Sequence, residues 1–248
     1  MPKDKELKAL ILAGGRGKRL KEFTEDYNKA MLKFGDKHLI EYSLDNAVRL
    51  GVQEIVIVVG YMAEQIINAF GINYQGVPVK YVIQREQKGV VHAMECSQAA
   101  IGRADFILLL ADEFFINPEH TTFLRFFREK QVFAACGVVR VDDLSRIGKT
   151  YAVLADAQSQ RIFRLVEKPK NPMNNIMGTG NILFANGIFD YIPMTPINQQ
   201  RQEKELPDLI QCAIDDGKPV LYSPLAATYV NVNTPEDILI LKEEQSRS

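Results

Sequence analysis

The chain has almost no surplus of charge: 30 Lys and Arg stand against 31 Asp and Glu, a formal net charge of −1. A global attraction to nucleic acid or to an anionic membrane is therefore excluded, and any anion site must arise from local clustering. Cysteine is scarce. The three present, Cys96, Cys136 and Cys212, are far apart and fit neither a zinc nor a C-x-x-C spacing, so each reads as a small apolar residue. Long apolar runs are missing too. Residues 1–8 (MPKDKELK) are polar and the first apolar run is too short to span a bilayer. The expectation is a soluble cytoplasmic protein with no signal peptide. Two familiar phosphate motifs also fail: G-x-x-x-x-G-K-[ST] is absent, and Leu20 stands where G-x-G-x-x-G needs its third glycine. No D-x-D metal motif occurs, Asp215-Asp216 before Gly217 being a poor substitute, and there is no internal repeat or low-complexity tract.

What is present is a core-forming chain of 248 residues, 46% hydrophobic and 25% charged, a length suited to one α/β domain. Leu7–Ala13, Ile55–Val59 and Phe106–Leu110 are short, nearly continuous apolar runs, the pattern of strands covered on both faces of a parallel sheet. Leu39–Leu50, Ala63–Phe70 and Gly89–Ile101 between them have helical spacing with polar faces. Strands alternating with helices imply a three-layer α/β/α sandwich with right-handed crossovers. After about residue 130 the rhythm changes, and Phe133–Val139, Tyr151–Ala155, Ile162–Val166 and Asn181–Ala185 read as strands with few helices between them. This half should add mixed strands to the parallel core. Pro207–Ile214 reads as helix, Val220–Tyr222 as strand, and Thr234–Glu244 as a helix with Pro235 in its first turn. The expectation is one domain over 1–248, with 1–130 and 131–248 as two functional halves.

The densest chemistry lies in Leu12-Ala13-Gly14-Gly15-Arg16-Gly17-Lys18-Arg19-Leu20. Three glycines after the first strand let the backbone bend sharply and offer N–H groups to an anion. Residues 14–21 hold Arg16, Lys18, Arg19 and Lys21 with no acid until Glu22, so the segment reads either as a phosphate cradle or as a solvated basic turn. Asp112 follows the apolar run Leu108–Leu110, at the carboxyl end of a predicted parallel strand, where open α/β sheets place ligands. It reads as a metal ligand or as a helix cap, with Glu113 the alternative if the register is shifted by one. His92 falls in a predicted helix with no Asp or Ser nearby and reads as a packing residue.

LAGGRGKRL resembles the LAGGxGTRL signature of the sugar-phosphate nucleotidylyltransferases, the family that includes glucose-1-phosphate thymidylyltransferase and N-acetylglucosamine-1-phosphate uridylyltransferase. The resemblance implies a Rossmann-like, mostly parallel sheet with a small acceptor-binding β subregion. It assigns nucleotide binding to Leu12, Ala13, Gly14, Gly15, Gly17 and Lys18, and triphosphate neutralisation to the catalytic pair Arg19 and Lys29. Lys18 replaces the usual Thr, while Asn28 and Lys33 replace usual prolines. Gln84-Arg85-Glu86-Gln87-Lys88-Gly89-Val90-Val91-His92-Ala93 resembles the family's base-reading loop in its uridylyltransferase form, with Val90 in place of Thr. Gln84 would pair with a pyrimidine edge through its amide donor and acceptor, and Gly89 would admit the base closely. Asp112 corresponds to the metal-binding Asp, and Asn231, in Tyr229–Asp237, to a second metal ligand that is Asn in the uridylyltransferase branch. Asn233 or Thr234 caps the following helix. Glu167-Lys168-Pro169 matches the EKP that holds the acceptor, and Met177-Gly178-Thr179-Gly180-Asn181 matches the (N/V)TG turn, making Gly180 and Asn181 substrate-binding. Ala152 stands where the family has a glycine against the sugar, and Arg146 and Lys149 are extra cations.

The function so implied is Mg²⁺-dependent transfer of a nucleotidyl group from a nucleoside triphosphate to a sugar 1-phosphate, with pyrophosphate released. The already ionised acceptor phosphate attacks the α-phosphorus in line, so no general base is needed. A pyrimidine triphosphate, CTP, UTP or dTTP, and a phosphorylated small molecule are the expected partners, with neither nucleic acid nor membrane; a homo-oligomer is admitted. Two other readings stand beside this one. Val90, Ala152 and Gly178 motivate a cytidylyltransferase acting on a phosphonate or a phosphorylated alcohol. A catalytically inactive, nucleotide-sugar-binding regulatory subunit would have the same fold, but such subunits lose the loop arginine or the metal carboxylate.

Overall fold

The computed structural model describes residues 5–17, 20 and 27–240. Its strands are β1 (Leu7–Leu12), β2 (Lys33–Phe34), β3 (Lys37–His38), β4 (Glu54–Val59), β5 (Asn73–Tyr74), β6 (Val77–Ile83), β7 (Asp105–Leu110) and β8 (Glu113–Ile116) in the first half. The second half adds β9 (Ala134–Arg140), β10 (Tyr151–Ala155), β11 (Ile162–Glu167), β12 (Ile176–Phe184), β13 (Ile197–Asn198), β14 (Glu203–Lys204), β15 (Val220–Pro224) and β16 (Thr228–Asn231). The α-helices are α1 (Leu39–Arg49), α2 (Ala63–Phe70), α3 (Gly89–Ile101), α4 (His120–Lys130) and α5 (Leu206–Asp215). Residues 235–240 are also helical. Among the described residues no helix is long and apolar enough to cross a membrane.

The parallel core runs β7-β1-β4-β6, with Leu10 of β1 in register with Val56 on one side and Leu108 on the other. β7, β1 and β4 are apolar without alternation because both faces are covered. Ile55, Ile57 and Val59 of β4 face a layer containing Ile40 and Leu44 of α1, Ile66 of α2 and Phe123 of α4. Val56 and Val58 point the other way, toward Val91 and Met94 of α3. Each such side chain stabilises the fold by roughly 1.5–3 kcal/mol relative to exposure. Helices on both faces of a mostly parallel sheet make the expected three-layer sandwich. The reversal of direction at β1, flanked by β4 and β7, puts the ends of β1 and β7 side by side at the switch point.

The second half extends the same sheet with antiparallel pairs and then forks. β12 pairs with β9 along one side, from Ile176 opposite Arg140 to Phe184 opposite Ala134. Its other side pairs first with β10 (Met177, Gly178) and then with β7 (Ile182–Phe184). No pairing runs through Thr179–Asn181, so β10 and β7 diverge there and leave an opening beside the end of β7. At the far side Arg161 bridges Leu221 of β15, curling β15, β9, β12, β10 and β11 toward a closed barrel.

Residues 177–181 read as a turn, yet they lie within β12, which is buried along its whole length. The glycines are there for space. A Cβ on Gly178 would lie 2.0 Å from the ring of Tyr151, its cross-strand partner, and one on Gly180 would lie 2.3 Å from Leu110. Tyr151 donates from its hydroxyl to the Thr179 carbonyl at 2.9 Å, so the aromatic ring covers the glycine and fastens the irregular stretch. Gly178→Val should therefore overpack this wall and lower stability by about 1–3 kcal/mol, read as a fall in Tm by thermal denaturation. A Tm within 1 °C of wild type would show that Tyr151 can move aside.

Candidate active site

Two clefts open at the switch point and the fork, sharing Val90 and Leu110 in their walls. The first, about 260 Å³, is lined by Leu12, Gly14, Gly15, Gln84, Gly89 and Asp112 among others. The second, about 150 Å³, is lined by Glu167, Lys168, Gly178, Gly180 and Asn231 among others.

Sequence dictates the first cleft closely. β1 stops where Gly14 approaches Gln84: a Cβ on Gly14 would lie 3.0 Å from the Gln84 side-chain oxygen. Gln84 is buried, and its amide nitrogen donates to the Gly89 carbonyl at 3.1 Å and contacts Nδ1 of His92 at 3.0 Å. His92 thus orients Gln84, a packing role as the sequence suggests. Gly89 has φ +87°, a conformation costly for any other residue, where the loop enters α3.

Lys29 is delivered by a 3₁₀ turn, Lys29–Met31, whose cap is Asn28. The Asn28 side chain accepts from the Ala30 N–H at 2.9 Å and donates to the carbonyls of Ala13 (3.2 Å) and Tyr61 (2.6 Å). An asparagine where the family has proline therefore ties the lysine turn to the end of β1. Lys29, itself buried, reaches Asp112 Oδ2 at 2.5 Å and Asn233 Oδ1 at 2.8 Å. Asn233 in turn donates to Asn231 Oδ1 at 2.6 Å. Asp112, Lys29 and Asn231 are thus joined in one polar chain. Lys18 and Arg19 lie outside the described residues; Gly17, just before them, has φ +60°.

Asp112 and Asn231 offer hard oxygen donors, and the Asn233 contact identifies the Asn231 atom facing it as oxygen. Among the described residues no cluster of three His, Cys, Asp or Glu forms a protein-only cage. That donor set suits Mg²⁺, which keeps waters and takes phosphate oxygens beside one or two protein ligands.

Behind Asp112 lies a residue that the sequence offers only as an alternative. Glu113 is 4% exposed; its Oε1 accepts from the Gly180 N–H at 2.8 Å and the Tyr229 hydroxyl at 2.7 Å, and its Oε2 from Asn181 at 2.8 Å. Burial pushes its carboxyl up to about 7, opposed by the Tyr229 hydrogen bond and reinforced by the charge of Asp112. Asn181, 2% exposed, has its side chain committed to Glu113 and, through Oδ1, to Nε2 of His120 at 2.7 Å. It lies behind the second cleft and holds Gly180 in place.

In the second cleft Glu167 Oε1 is 2.7 Å from Lys168 and 3.1 Å from Arg201. Lys168 has φ +43°, strained for a non-glycine residue, and such strain collects at ligand sites. Arg201 also pairs with Glu205 at 2.9 Å, and burial pushes the Glu205 carboxyl up. The Ala152 methyl is buried in the hydrophobic layer with Val139 and Met177, on the opposite face from Tyr151. Lys149 stands at the rim, 64% exposed and 3.4 Å from Asp237, while Arg146 donates to the Tyr229 carbonyl. Asp237 accepts from the N–H groups of Asn233 and Thr234, both at 2.9 Å, and Thr234 Oγ1 accepts from the Asp237 N–H, so Thr234 caps the last helix. Sequence reasoning missed Arg201, Glu203 and Glu205; the short hairpin β13–β14 that carries them has no periodic signal.

Residues 8–244 match the Nucleotidyl transferase family, and the chain belongs to it. It is 34% identical to the UTP–glucose-1-phosphate uridylyltransferase AglF of Haloferax volcanii, covering 93% of each chain. It is 29% identical to a glucose-1-phosphate thymidylyltransferase of Streptomyces griseus over 94% of this chain, which spans 64% of that longer protein. The fold matches a UDP-glucose pyrophosphorylase complexed with UDP-glucose at TM-score 0.88, with 21% identity, 98% of this chain and 99% of the other covered. It also matches a UTP-bound UGPase from Acinetobacter baumannii at TM-score 0.81, with 20% identity, 97% and 93% covered. The relatives are sugar-1-phosphate nucleotidyltransferases.

The buried pair behind the site makes a pH prediction. Burial holds His120 down to about 4, below its ordinary 6.5, so in this respect the folded state loses stability as pH falls from 6.5 toward 4. Glu113 is raised, so its contribution runs the other way, favouring the fold as pH falls from about 7 toward 4.5. The two slopes oppose each other. In His120→Asn the His120 slope is removed, and stability relative to wild type should rise by ~3 kcal/mol between pH 6.5 and pH 4. Urea denaturation across that range, without added metal, reads the difference; a constant offset would mean that His120 is not held neutral.

Proposed function

We infer that the chain transfers UMP from UTP to a sugar 1-phosphate, glucose 1-phosphate first among them, and releases pyrophosphate. The observation that carries this reading is the polar chain Asp112–Lys29–Asn233–Asn231, which stands where the two clefts meet. A reaction that joins two phosphates needs its charged groups at that junction. On this reading residues 1–130 hold the nucleotide and 131–248 the acceptor. Gly14, Gly15 and Gly17 expose backbone N–H groups to the triphosphate, with Leu12 and Ala13 leading the chain into the loop. Gln84, its amide nitrogen held by the Gly89 carbonyl and His92, presents its side-chain oxygen to the pyrimidine edge beside Gly89.

Nucleotidyltransferases of this family use a divalent metal ion, here Mg²⁺, held by Asp112 and Asn231. When bound it neutralises phosphate oxygens and polarises the α-phosphate. Lys29 and Arg19 stabilise the charge that grows on the departing pyrophosphate, and Lys18 adds a cation to the cradle. Lys168 orients the acceptor phosphate, Glu167 accepts from sugar hydroxyls, and Gly180, whose absent side chain makes room for Leu110, forms the acceptor-facing wall at the end of β7. The attacking phosphate oxygen forms its bond to the α-phosphorus as the bond to the β-phosphate oxygen breaks, with no proton moved.

The departures that motivate a phosphonate or alcohol-phosphate acceptor have other causes. Ala152 buries its methyl away from the cleft, and Gly178 makes room for Tyr151. Lys29 and Asp112 are both present and paired, which favours an active enzyme over a regulatory subunit.

Incubation with Mg²⁺, UTP and glucose 1-phosphate should release pyrophosphate and form UDP-glucose, with CTP, dTTP and ATP used less well. Arg19→Ala and Asp112→Ala should each lower kcat by at least about 100-fold with the fold intact by circular dichroism. Pyrophosphate release from UTP with phosphonates but with no sugar 1-phosphate as acceptor would overturn the acceptor assignment.

A further inference from the structure

The hairpin β13–β14 belongs to the second half of the chain but reaches back over the first. Its Glu203 lines the first cleft opposite Gly14, Gln84 and Gly89. The approach is close: a Cβ on Gly89 would lie 2.6 Å from Glu203 Oε2. The positive φ of Gly89 and the absence of a side chain there leave this carboxylate room at the edge of the nucleotide path. Glu203 is half-buried, and among the described residues its carboxylate has no hydrogen-bond or ion-pair partner, whereas its neighbours on the hairpin, Arg201 and Glu205, are paired with each other. It accepts no N–H from the first turn of α3, so it does not serve as that helix's cap.

A lone carboxylate in a site for a triphosphate needs a partner that brings donors. The phosphates repel it. The uracil edge presents one N–H flanked by two carbonyl oxygens, which a carboxylate meets poorly. The vicinal ribose hydroxyls offer two O–H donors spaced for one carboxylate, and hydrogen bonds to a charged acceptor are the strong ones. We propose that Glu203 binds the ribose 2′- and 3′-hydroxyls and so selects ribonucleoside over 2′-deoxyribonucleoside triphosphates. This rests on the first cleft being the nucleotide site. Because Glu203 is on the hairpin whose Arg201 bridges Glu167 and Glu205, the same element touches both clefts.

The test compares UTP with dUTP, which differ only in the 2′-hydroxyl, at saturating glucose 1-phosphate and Mg²⁺. Wild type should favour UTP in kcat/KM by about tenfold or more, the worth of one hydrogen bond to a charged group. In Glu203→Ala the UTP:dUTP ratio should fall toward one, and Glu203→Gln, which keeps one acceptor oxygen, should lie between. The ratio is independent of how much enzyme is folded, and calorimetric binding of the two nucleotides supplies it where turnover is too slow. A ratio near one in wild type, or one unchanged by Glu203→Ala, overturns the proposal. So does a change confined to the UTP:CTP ratio, which would put the carboxylate on the base, or to the KM of glucose 1-phosphate, which would put it on the acceptor. If wild type binds and turns over no nucleotide, the nucleotide-site reading itself has failed.

Discussion

Glu113 is buried between the forked stretch of β12 and the strand that carries Asn231, and the shape of both clefts follows from how that burial is satisfied. Three donors converge on it: the Gly180 N–H, the Asn181 amide and the Tyr229 hydroxyl. Each comes from chain that has no strand partner or is close to an edge. A sheet that forks leaves unpaired backbone, and unpaired backbone in an interior is costly. Glu113 supplies the missing acceptor for Gly180 and ties β16 to the fork through Tyr229. Since Glu113 follows Asp112 directly, the same anchor fixes where the Asp112 carboxylate emerges. The second cleft is thus an opening held by a buried carboxylate.

The front of the site is built on the opposite principle. Lys29 and Asp112 neutralise each other at 2.5 Å in a largely buried setting. Such a pair contributes little net stability, because desolvation offsets the attraction. On the proposed reading its value lies in readiness: each partner would exchange the other for a ligand of the same sign, phosphate for Lys29 and a cation for Asp112. Asn233 holds Lys29 and Asn231 together during that exchange. Glu113 sets position and the Lys29 pair holds charge, so adjacent carboxylates do different work because one is enclosed by donors and the other faces the cleft.

The parallel half was legible because its order is local. The limits of α2 and α3 agree with the helical spacing to the residue, and β1, β4 and β7 differ only at their ends. Two-sided burial makes each strand an apolar run, and each helix follows a glycine or loop that the eye can find. In the second half β10 and β11 are equally plain in the sequence, but the pattern of β12 is that of a turn followed by a strand. Glycine in a strand is intelligible only when the ring opposite is known, and Tyr151 is 27 positions away from its partner. β6, α4 and the hairpin were also missed: β6 mixes exposed and half-buried residues, and β13 and β14 have two residues each. At the site, residues that expose backbone or charge next to a strand end were visible from position alone. Glu113, Asn28 and Arg201 act through tertiary partners, and no local pattern announces them.

Departures from the family signature separate by the same physics. A proline replaced by Asn28 removes a stiff turn, yet three side-chain hydrogen bonds restore the rigidity and add anchors to Ala13 and Tyr61. A side chain lost at Gly178 is replaced in volume by the Tyr151 ring. A methyl gained at Ala152 points into the core, where it adds packing and leaves the cleft wall unchanged. In each case the altered residue is compensated by a neighbour that the structure brings into contact. Signature positions conserve a shape and a charge pattern, and different residues can supply either. Substitutions that lie in the walls therefore say little about the acceptor, whereas charges facing the clefts without a fixed partner, Glu203 above all, bear directly on what binds.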